Sequence, residues 1–171
     1  MRPPETQRTA LVLSGGGARG AYQVGVLREL VEQGFLARER VEILVGSSAG
    51  SINAAAVAAW SDDLHRGVAG LERVWREIHP AQVYRTDMAS LGRIGARWAW
   101  DLSFGGATGH VQPKSLLDTA PLRELLAAHI PFERIAANVA ARHVAALAII
   151  ATDLYTSNGV IFLDAAPDTP L

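Results

Sequence analysis

Two glycine-rich turns carry the residue types that could do chemistry in this chain. The first is Ser14–Gly20 (SGGGARG), and the second is Gly46–Gly50 (GSSAG). Consecutive glycines let backbone N–H groups converge on one point because no side chains intervene. A helix that follows such a turn adds its positive N-terminal end. The first turn therefore predicts an anion site, which suits either a phosphate or the oxyanion of an ester under attack.

The second turn has the pattern G-x-S-x-G, with Ser48 at its centre. This motif places the serine on a sharp strand-to-helix turn, so that the hydroxyl stands clear of the backbone. Gly46 and Gly50 permit a tight approach, and a helix N-terminus beside Ser48 would stabilise negative charge that develops there. The pattern predicts a nucleophilic serine, although short G-x-S-x-G strings also occur by chance and Ser48 alone could be a helix cap.

The flanking residues predict a strand before each turn and a helix after it. Thr9 to Leu13 is a short apolar run of β type, and a helical apolar stripe extends from about Ala18 to a stop at Gly34. Val41 to Val45 is a second apolar run. The stretch Ser51 to Trp60 is rich in alanine and predicts a buried helix.

Three further elements complete the pattern. A third helix is expected to start at Ser61 or Asp62 and to end at Pro80, and another starts at Thr119, with Pro121 in its first turn. Val144 to Thr152 is a continuous apolar run, which indicates a strand buried on both faces. This order predicts an α/β fold with a mostly parallel sheet. Ligands bind beyond the carboxyl ends of such strands, so both turns are expected to share one site.

A nucleotide site is the main alternative for the first turn. Gly15-x-Gly17-x-x-Gly20 matches the dinucleotide fingerprint, after a strand and at the opening of a helix. A nicotinamide-type site also needs an acidic residue at the end of the second strand, to hold the ribose hydroxyls. The chain has Val45, Gly46 and Ser47 there instead, which favours the oxyanion interpretation.

The pair of motifs, GGGARG and then GSSAG about thirty residues later, resembles the patatin-like phospholipase family. Three further stretches are similar to that family, so the resemblance covers nearly the whole chain: residues 20–27 (GAYQVGVL), 117–122 (LDTAPL) and 151–154 (ATDL). The resemblance implies a three-layer α/β/α fold. It also implies hydrolysis of acyl esters of phospholipids and neutral lipids by a Ser–Asp dyad, with no cofactor.

Carried over by motif, the resemblance makes Ser48 the nucleophile of the dyad. It also implies that the oxyanion hole is formed by the first turn, through Gly15, Gly16, Gly17, Arg19 and Gly20. Gly46 and Gly50 would then shape the nucleophile elbow. The Arg19 side chain would either orient the loop or meet a lipid phosphate, and the sequence does not separate these two roles.

The chain departs from the family pattern at the catalytic aspartate. The family carries it in a later Asp-Gly-Gly or Asp-Gly-Ala motif, but this sequence contains no Asp-Gly dipeptide, and Asp164-Ala165-Ala166 is the nearest approach. We therefore interpret residues 9–171 as a partial patatin-like domain after a polar lead, residues 1–8, and expect little activity from it. Asp153 follows the last predicted strand and is a weak substitute for the base, since its position favours a carboxylate that only serves a turn.

The composition excludes several other classes of function. The chain has no cysteine, which excludes disulfides, thiolate zinc sites and a cysteine nucleophile. Its net charge of −1 gives no basic excess for nucleic acid. No metal site is predicted, because the five histidines are scattered without metal-ligand spacing (His65, His79, His110, His129 and His143).

Three expectations concern surroundings and partners. Neither a secretory signal nor a membrane-spanning stretch is recognisable, so we expect a cytoplasmic protein that contacts membranes only transiently.

Trp98, Trp100 and Phe104 could form a lid that faces lipid, or they could be core packing under a loop. A catalytically inactive domain that binds only lipid or a protein partner also stays open, and the sequence predicts no oligomeric state.

Overall fold

The computed structural model describes residues 9–38, 41–83, 119–153, 156–167 and 169 of the chain. The predictions for residues 1–8, Trp98, Trp100, Phe104 and His110 lie outside these ranges. Within them, four strands form one sheet, and their bounds are β1 Thr9–Leu13, β2 Val41–Ser47, β3 Ala146–Thr152 and β4 Gly159–Ala165.

Seven helices are described between and beside these strands. They are α1 Gly20–Glu32, α2 Phe35–Arg38, α3 Ala49–Ala59, α4 Leu64–Glu77, α5 Pro80–Val83, α6 Ala120–His129 and α7 Glu133–Ala140. The sheet is mostly parallel with helices on both sides, so the predicted α/β fold of patatin-like type is confirmed.

The sheet has the order β1-β2-β3-β4, and its first three strands are parallel. Leu13 at the end of β1 pairs with Gly46, and Ser47 at the end of β2 pairs with Ile150 of β3. The two glycine-rich turns therefore leave the sheet at the same edge, as the sequence predicts. The last strand, β4, runs antiparallel to β3.

Helix α3 lies against the sheet and forms the centre of the core. Seven consecutive residues of this helix, Asn53 to Ala59, are buried. Alanine side chains are short, so the helix can lie close to the strands, where Leu13, Leu44 and Leu147 are also buried. The first turn of the helix follows Ser48 directly, so core packing fixes the position of that residue.

Strand β4 has a different environment from the other strands. Ile161, Phe162 and Leu163 are consecutive, so they point alternately to the two faces of the sheet, yet each side chain is 48–64% exposed. On β3, Ile150 pairs with Ile161 and is itself 39% exposed. Among the described residues, β4 pairs with β3 alone, and no strand pairs with its other edge.

The helix boundaries correct two predictions. Helix α4 begins at Leu64 with Asp63 as its N-cap, whose carboxylate accepts a hydrogen bond from the backbone N–H of Arg66 (3.1 Å), and not with Ser61 or Asp62. It ends at Glu77, before Pro80, which instead opens the short helix α5. Proline suits a first helical turn because the N–H that it lacks has no partner there.

A polar cluster holds the carboxyl end of α3. Arg134 and Asn138, both from α7, donate hydrogen bonds to the carbonyl oxygen of Ala59 at 3.0 Å, and Asn138 also donates to that of Ala58 at 2.9 Å. The guanidinium group of Arg134 also lies 4.2 Å from the ring centre of Trp60 and binds both carboxylate oxygens of Asp62. These bonds satisfy carbonyl groups that have no partner inside the helix.

The cluster predicts a dependence of stability on acid pH. The hydrogen bond from Arg134 holds the pKa of the Asp62 carboxyl below its ordinary value, which is about 3.9 for a free aspartate. The ionised carboxylate thus stabilises the fold above that pH, and this contribution is lost as the pH falls through the lowered pKa. On going from pH 6 to pH 3, Asp62→Asn should lose about 2 °C less in melting temperature than the unmodified chain.

Thermal denaturation at a series of pH values measures this difference. Arg134→Gln is the matched variant, because it leaves the carboxylate in place and removes the group that lowers its pKa. Its melting temperature should also fall less between pH 6 and pH 3. Equal pH dependence in the unmodified chain and in Asp62→Asn would show that this ion pair does not contribute to acid stability.

Candidate active site

Ser48 lies in the single-residue turn between β2 and α3. Its backbone angles are φ 52° and ψ −123°, and its side chain is exposed. A residue other than glycine with positive φ is held in a strained conformation, at a cost on the order of 1–3 kcal/mol, and persists only where the surrounding structure imposes it. The turn is therefore a strand–turn–helix elbow, the context that the G-x-S-x-G pattern predicts.

The two glycines of the motif make the elbow possible. A Cβ atom built on Gly46 would lie 2.6 Å from the carbonyl oxygen of Gly50, and one built on Gly50 would overlap the carbonyl group of Leu13. All of these neighbours are backbone atoms, which cannot move aside as a flexible side chain could. Gly46 and Gly50 thus let α3 cross directly over the ends of β1 and β2.

The first glycine turn lies beside the serine. A Cβ atom on Gly15 would be 3.1 Å from Cβ of Ser48 and 3.8 Å from its Oγ. The loop then makes a short 3-10 turn over Gly17–Arg19, before α1 begins at Gly20. The positive φ of Gly17 (55°) suits a glycine. The structure therefore brings the two turns together, and Gly15 is the glycine of the first turn whose Cβ position faces Ser48.

Arg19 lies on the outer side of this loop. Its side chain packs along Gly16, since a Cβ atom on Gly16 would lie 3.2 Å from Cβ of Arg19. The backbone N–H of Arg19 donates to the carbonyl oxygen of Gly16 at 3.1 Å, which closes the 3-10 turn. Arg19 is exposed, and its two predicted roles, in loop orientation and in phosphate contact, stay predictions.

Asp153 lies in the connection between β3 and β4. Its carboxylate accepts a hydrogen bond from Oγ1 of Thr156 at 2.8 Å, and its backbone N–H donates to the carbonyl oxygen of Asn158 at 2.9 Å. Ile150 pairs with Ser47, and Asp153 is three residues further along the chain, just past the end of β3. In extended backbone, three residues span roughly 10 Å. The bonding within the turn favours the turn-carboxylate interpretation, and a role as base stays a prediction.

The described histidines are not gathered at this site. All four are exposed (His65, His79, His129 and His143), and Nδ1 of His129 lies 2.8 Å from the carbonyl oxygen of Leu125 in its own helix. The ranges that the structure describes contain no group of three or more His, Cys, Asp or Glu residues arranged to hold a metal ion.

Three residues connect the glycine loop to the core, and sequence reasoning assigned a supporting role to Asn53 alone and missed Gln23 and Trp75. Trp75 donates its indole N–H to Oδ1 of Asn53, Asn53 donates to Oε1 of Gln23, and Gln23 donates to the carbonyl oxygen of Ser14. The only signal in the sequence is Asn53 itself, the one polar residue in the run from Ile52 to Ala59. Its partners come from distant parts of the chain, so the pattern alone could not identify them.

A sequence profile of the family described as Patatin-like phospholipase matches residues 11–170. The chain belongs to this family. The match includes both glycine turns and all of the sheet except the first two residues of β1. The resemblance inferred from the two motifs is thus confirmed for the family as a whole.

Several curated proteins are similar to this patatin-like chain over parts of its length. A patatin-like phospholipase domain-containing protein of Aspergillus oryzae is 34% identical over 54% of the chain, and a lysophospholipase of Phaeosphaeria nodorum is 32% identical over 64% of it. A triacylglycerol lipase of Schizosaccharomyces pombe is 51% identical over 31% of it. The matched regions cover 11%, 6% and 10% of these relatives, respectively.

Two further findings complete the comparison of this patatin-like chain. No solved structure is significantly similar to it. In the part of the chain that the structure describes, every helix is too short or too polar to cross a lipid bilayer.

Proposed function

We propose that this chain carries the nucleophile and the oxyanion loop of a serine hydrolase that cleaves acyl esters of lipids. The observation that carries the proposal is the positive φ of Ser48 in a strand–turn–helix elbow, with the backbone of Gly15 beside it. Strain of this kind is kept where function requires an exposed hydroxyl. The substrate class follows from the family and from relatives that are named lipases and lysophospholipases.

The proposed reaction has two covalent steps. Oγ of Ser48 attacks the ester carbonyl carbon while a carboxylate takes the hydroxyl proton, and the N–H groups of Gly15, Gly16 and Gly17 bind the oxyanion that forms. The C–O bond to the leaving alcohol then breaks, and the alcohol takes up that proton. In the second step, water attacks the acyl carbonyl carbon while the carboxylate takes a proton from it. The bond between that carbon and Oγ of Ser48 then breaks, Oγ takes up the proton, and the fatty acid is released. Ser48, the carboxylate, the ester and this water supply all the reacting groups, so the proposed reaction needs no cofactor.

The base of the proposed Ser–Asp dyad is not assigned to a residue of this chain. The sequence has no Asp-Gly dipeptide, and Asp153 is bound within its own turn. A serine without a base is a weak nucleophile at neutral pH, whereas a formed oxyanion site still accelerates acyl transfer. We therefore expect slow modification by a reactive probe and very low turnover. Rapid ester hydrolysis by the 171-residue chain, lost in Ser48→Ala, would contradict this expectation.

Labelling with a fluorophosphonate probe, followed by intact mass, tests the proposed nucleophile. The unmodified chain should gain one adduct, and Ser48→Ala should gain none, because Oγ of Ser48 is the proposed group that attacks the phosphorus of the probe. Ser61→Ala is the matched control. The Ser61 hydroxyl donates to the carbonyl oxygen of Ala58, at the opposite end of α3, so this variant should label like the unmodified chain. An adduct that persists in Ser48→Ala, or none on the folded unmodified chain, would overturn the proposal.

Probe labelling and thermal denaturation together distinguish the proposed function from its two alternatives. A nucleotide-binding domain would be stabilised against heat by NAD or ATP and would not react at Ser48. We expect no such stabilisation, because β2 ends at Ser47 without a carboxylate for the ribose. A catalytically inactive lipid-binding domain would melt cooperatively and remain unlabelled.

We also expect the chain to contact its substrate at a lipid surface. Sedimentation of the chain with lipid vesicles measures this contact.

A further inference from the structure

Asn53 is at the centre of a buried hydrogen-bond network next to the candidate active site. Its side chain is fully buried (0% exposed) within α3, five residues after Ser48. Nδ2 of Asn53 donates to the carbonyl oxygen of Gly20 at 3.1 Å and to Oε1 of Gln23 at 3.0 Å. Oδ1 accepts a hydrogen bond from the indole N–H of Trp75 at 2.8 Å. Asparagine therefore uses both donor and acceptor atoms here.

Gln23 extends the network to the start of the glycine loop. Its Nε2 donates to the carbonyl oxygen of Ser14 at 2.7 Å. An indole N–H only donates and a backbone carbonyl only accepts, so the direction of every bond from Trp75 to Ser14 is fixed. The network thus binds Ser14 and Gly20, the two ends of the loop that contains Gly15, Gly16 and Gly17.

Close packing reinforces the same contacts. A Cβ atom on Gly20 would lie 2.6 Å from a ring carbon of Trp75 and 3.2 Å from Cβ of Ala49. The indole ring therefore lies against the backbone of Gly20, and Ala49 is the residue directly after Ser48. The loop is held between α4 on one side and the first turn of α3 on the other.

We infer that Asn53 and Gln23 are positioning residues, which hold the glycine-loop amides at a set distance from Ser48. The inference rests on the proposed function and adds to it the part of the molecule that preorganises the oxyanion site. Preorganised donors stabilise a transition state because they need no rearrangement as charge develops. Displacement of reacting groups by about 1 Å lowers rates on the order of 100-fold.

Reactivity toward the fluorophosphonate probe is the first measurement, with the maximal labelling rate and the half-saturating probe concentration determined separately. Gln23→Met keeps the length of the side chain and removes its hydrogen bonds to Ser14 and Asn53, and Asn53→Ala removes the centre of the network. Both variants should label about 10- to 100-fold more slowly at saturation. The half-saturating concentration should change little, because the residues do not contact the probe.

Matched control variants separate positioning from stability. Gln33 is the glutamine that caps the carboxyl end of α1, and among the described residues its side chain bonds to Glu29 alone. Asn138 is a buried asparagine that donates to two backbone carbonyl groups far from Ser48. Gln33→Met and Asn138→Ala should label at the unmodified rate, even where Asn138→Ala melts as early as Asn53→Ala. Equal slowing in these controls, or an unmodified rate in Gln23→Met, would overturn the inference.

A second measurement does not depend on chemical reactivity. In NMR spectra with glycine amides labelled by ¹⁵N, the Gly15, Gly16 and Gly17 resonances should shift in Gln23→Met and Asn53→Ala and stay in place in both controls. If the unmodified chain does not react with the probe, the proposed function fails. The shifts of the glycine resonances would still show whether the network positions the glycine loop. Unchanged glycine resonances in both variants would overturn the positioning role, whatever the labelling result.

Discussion

Gly50→Ala is expected to lower the free energy of unfolding by about 3 kcal/mol or more, or to prevent folding altogether. The added methyl group would overlap the carbonyl group of Leu13 and lie 2.7 Å from the carbonyl oxygen of Ser14. Both obstacles belong to the backbone at the end of β1, so relief requires α3 to move away from the sheet. Helix α3 is central to the core, and its displacement would expose buried side chains.

Denaturant-induced unfolding measures this effect, and the chain offers a matched control. Gly25 is an exposed glycine in the middle of α1, and a Cβ atom there would meet nothing within 4 Å. Gly25→Ala should raise the free energy of unfolding by about 0.5–1 kcal/mol, because alanine favours a helix over glycine. The same substitution thus has opposite expected signs at two positions. A Gly50→Ala variant as stable as the unmodified chain would show that the elbow is not held as tightly as described.

The second large effect concerns reactivity and leaves the fold in place. Gly15→Ala should slow the modification of Ser48 by the fluorophosphonate probe on the order of 100-fold. Its methyl group would lie 3.1 Å from Cβ of Ser48 and 3.8 Å from Oγ. It would therefore fill space that the oxyanion of the probe needs beside the loop amides. Gly15 does not have positive φ, so alanine fits its backbone, and neighbouring atoms need to move only slightly.

Labelling rates and melting temperatures should be measured together on Gly15→Ala, Gly25→Ala and the unmodified chain. We expect slow labelling only in Gly15→Ala, with a melting temperature close to that of the unmodified chain. Labelling of Gly15→Ala at the unmodified rate would place the oxyanion site elsewhere than this loop. A large fall in its melting temperature would indicate that Gly15 is required for packing and not for the reaction.

Local sequence signals predicted the elements that position the candidate site. The glycine runs, the alanine-rich helix and the short apolar strands are properties of neighbouring residues, and each is present in the structure. The first helix begins at Gly20 and not at Ala18, because a 3-10 turn over Gly17–Arg19 precedes it. This short turn does not change the apolar stripe, so a periodic pattern could not reveal it.

The features that the sequence did not predict depend on distant contacts. Three adjacent residues, Ser61, Asp62 and Asp63, are all suitable helix caps. Asp62 bonds to Arg134, which lies 72 residues away in the sequence, while Asp63 caps the helix. Likewise, the bonds of Asn53 reach Gly20, Gln23 and Trp75, from 22 to 33 residues away. A polar residue in an apolar helix indicates that a partner exists, but it does not identify that partner.

Strand β4 has a consequence for the behaviour of this chain in solution. Three consecutive apolar side chains are exposed on its two faces. Within the ranges that the structure describes, no strand pairs with its outer edge, which presents N–H and carbonyl groups in strand geometry. An exposed apolar edge strand is a template on which another polypeptide can add a strand. Self-association of the isolated chain should therefore grow with protein concentration and begin at this edge, on the side of the sheet away from the glycine loop and β1. A charged residue on β4 would act as a gatekeeper against such pairing.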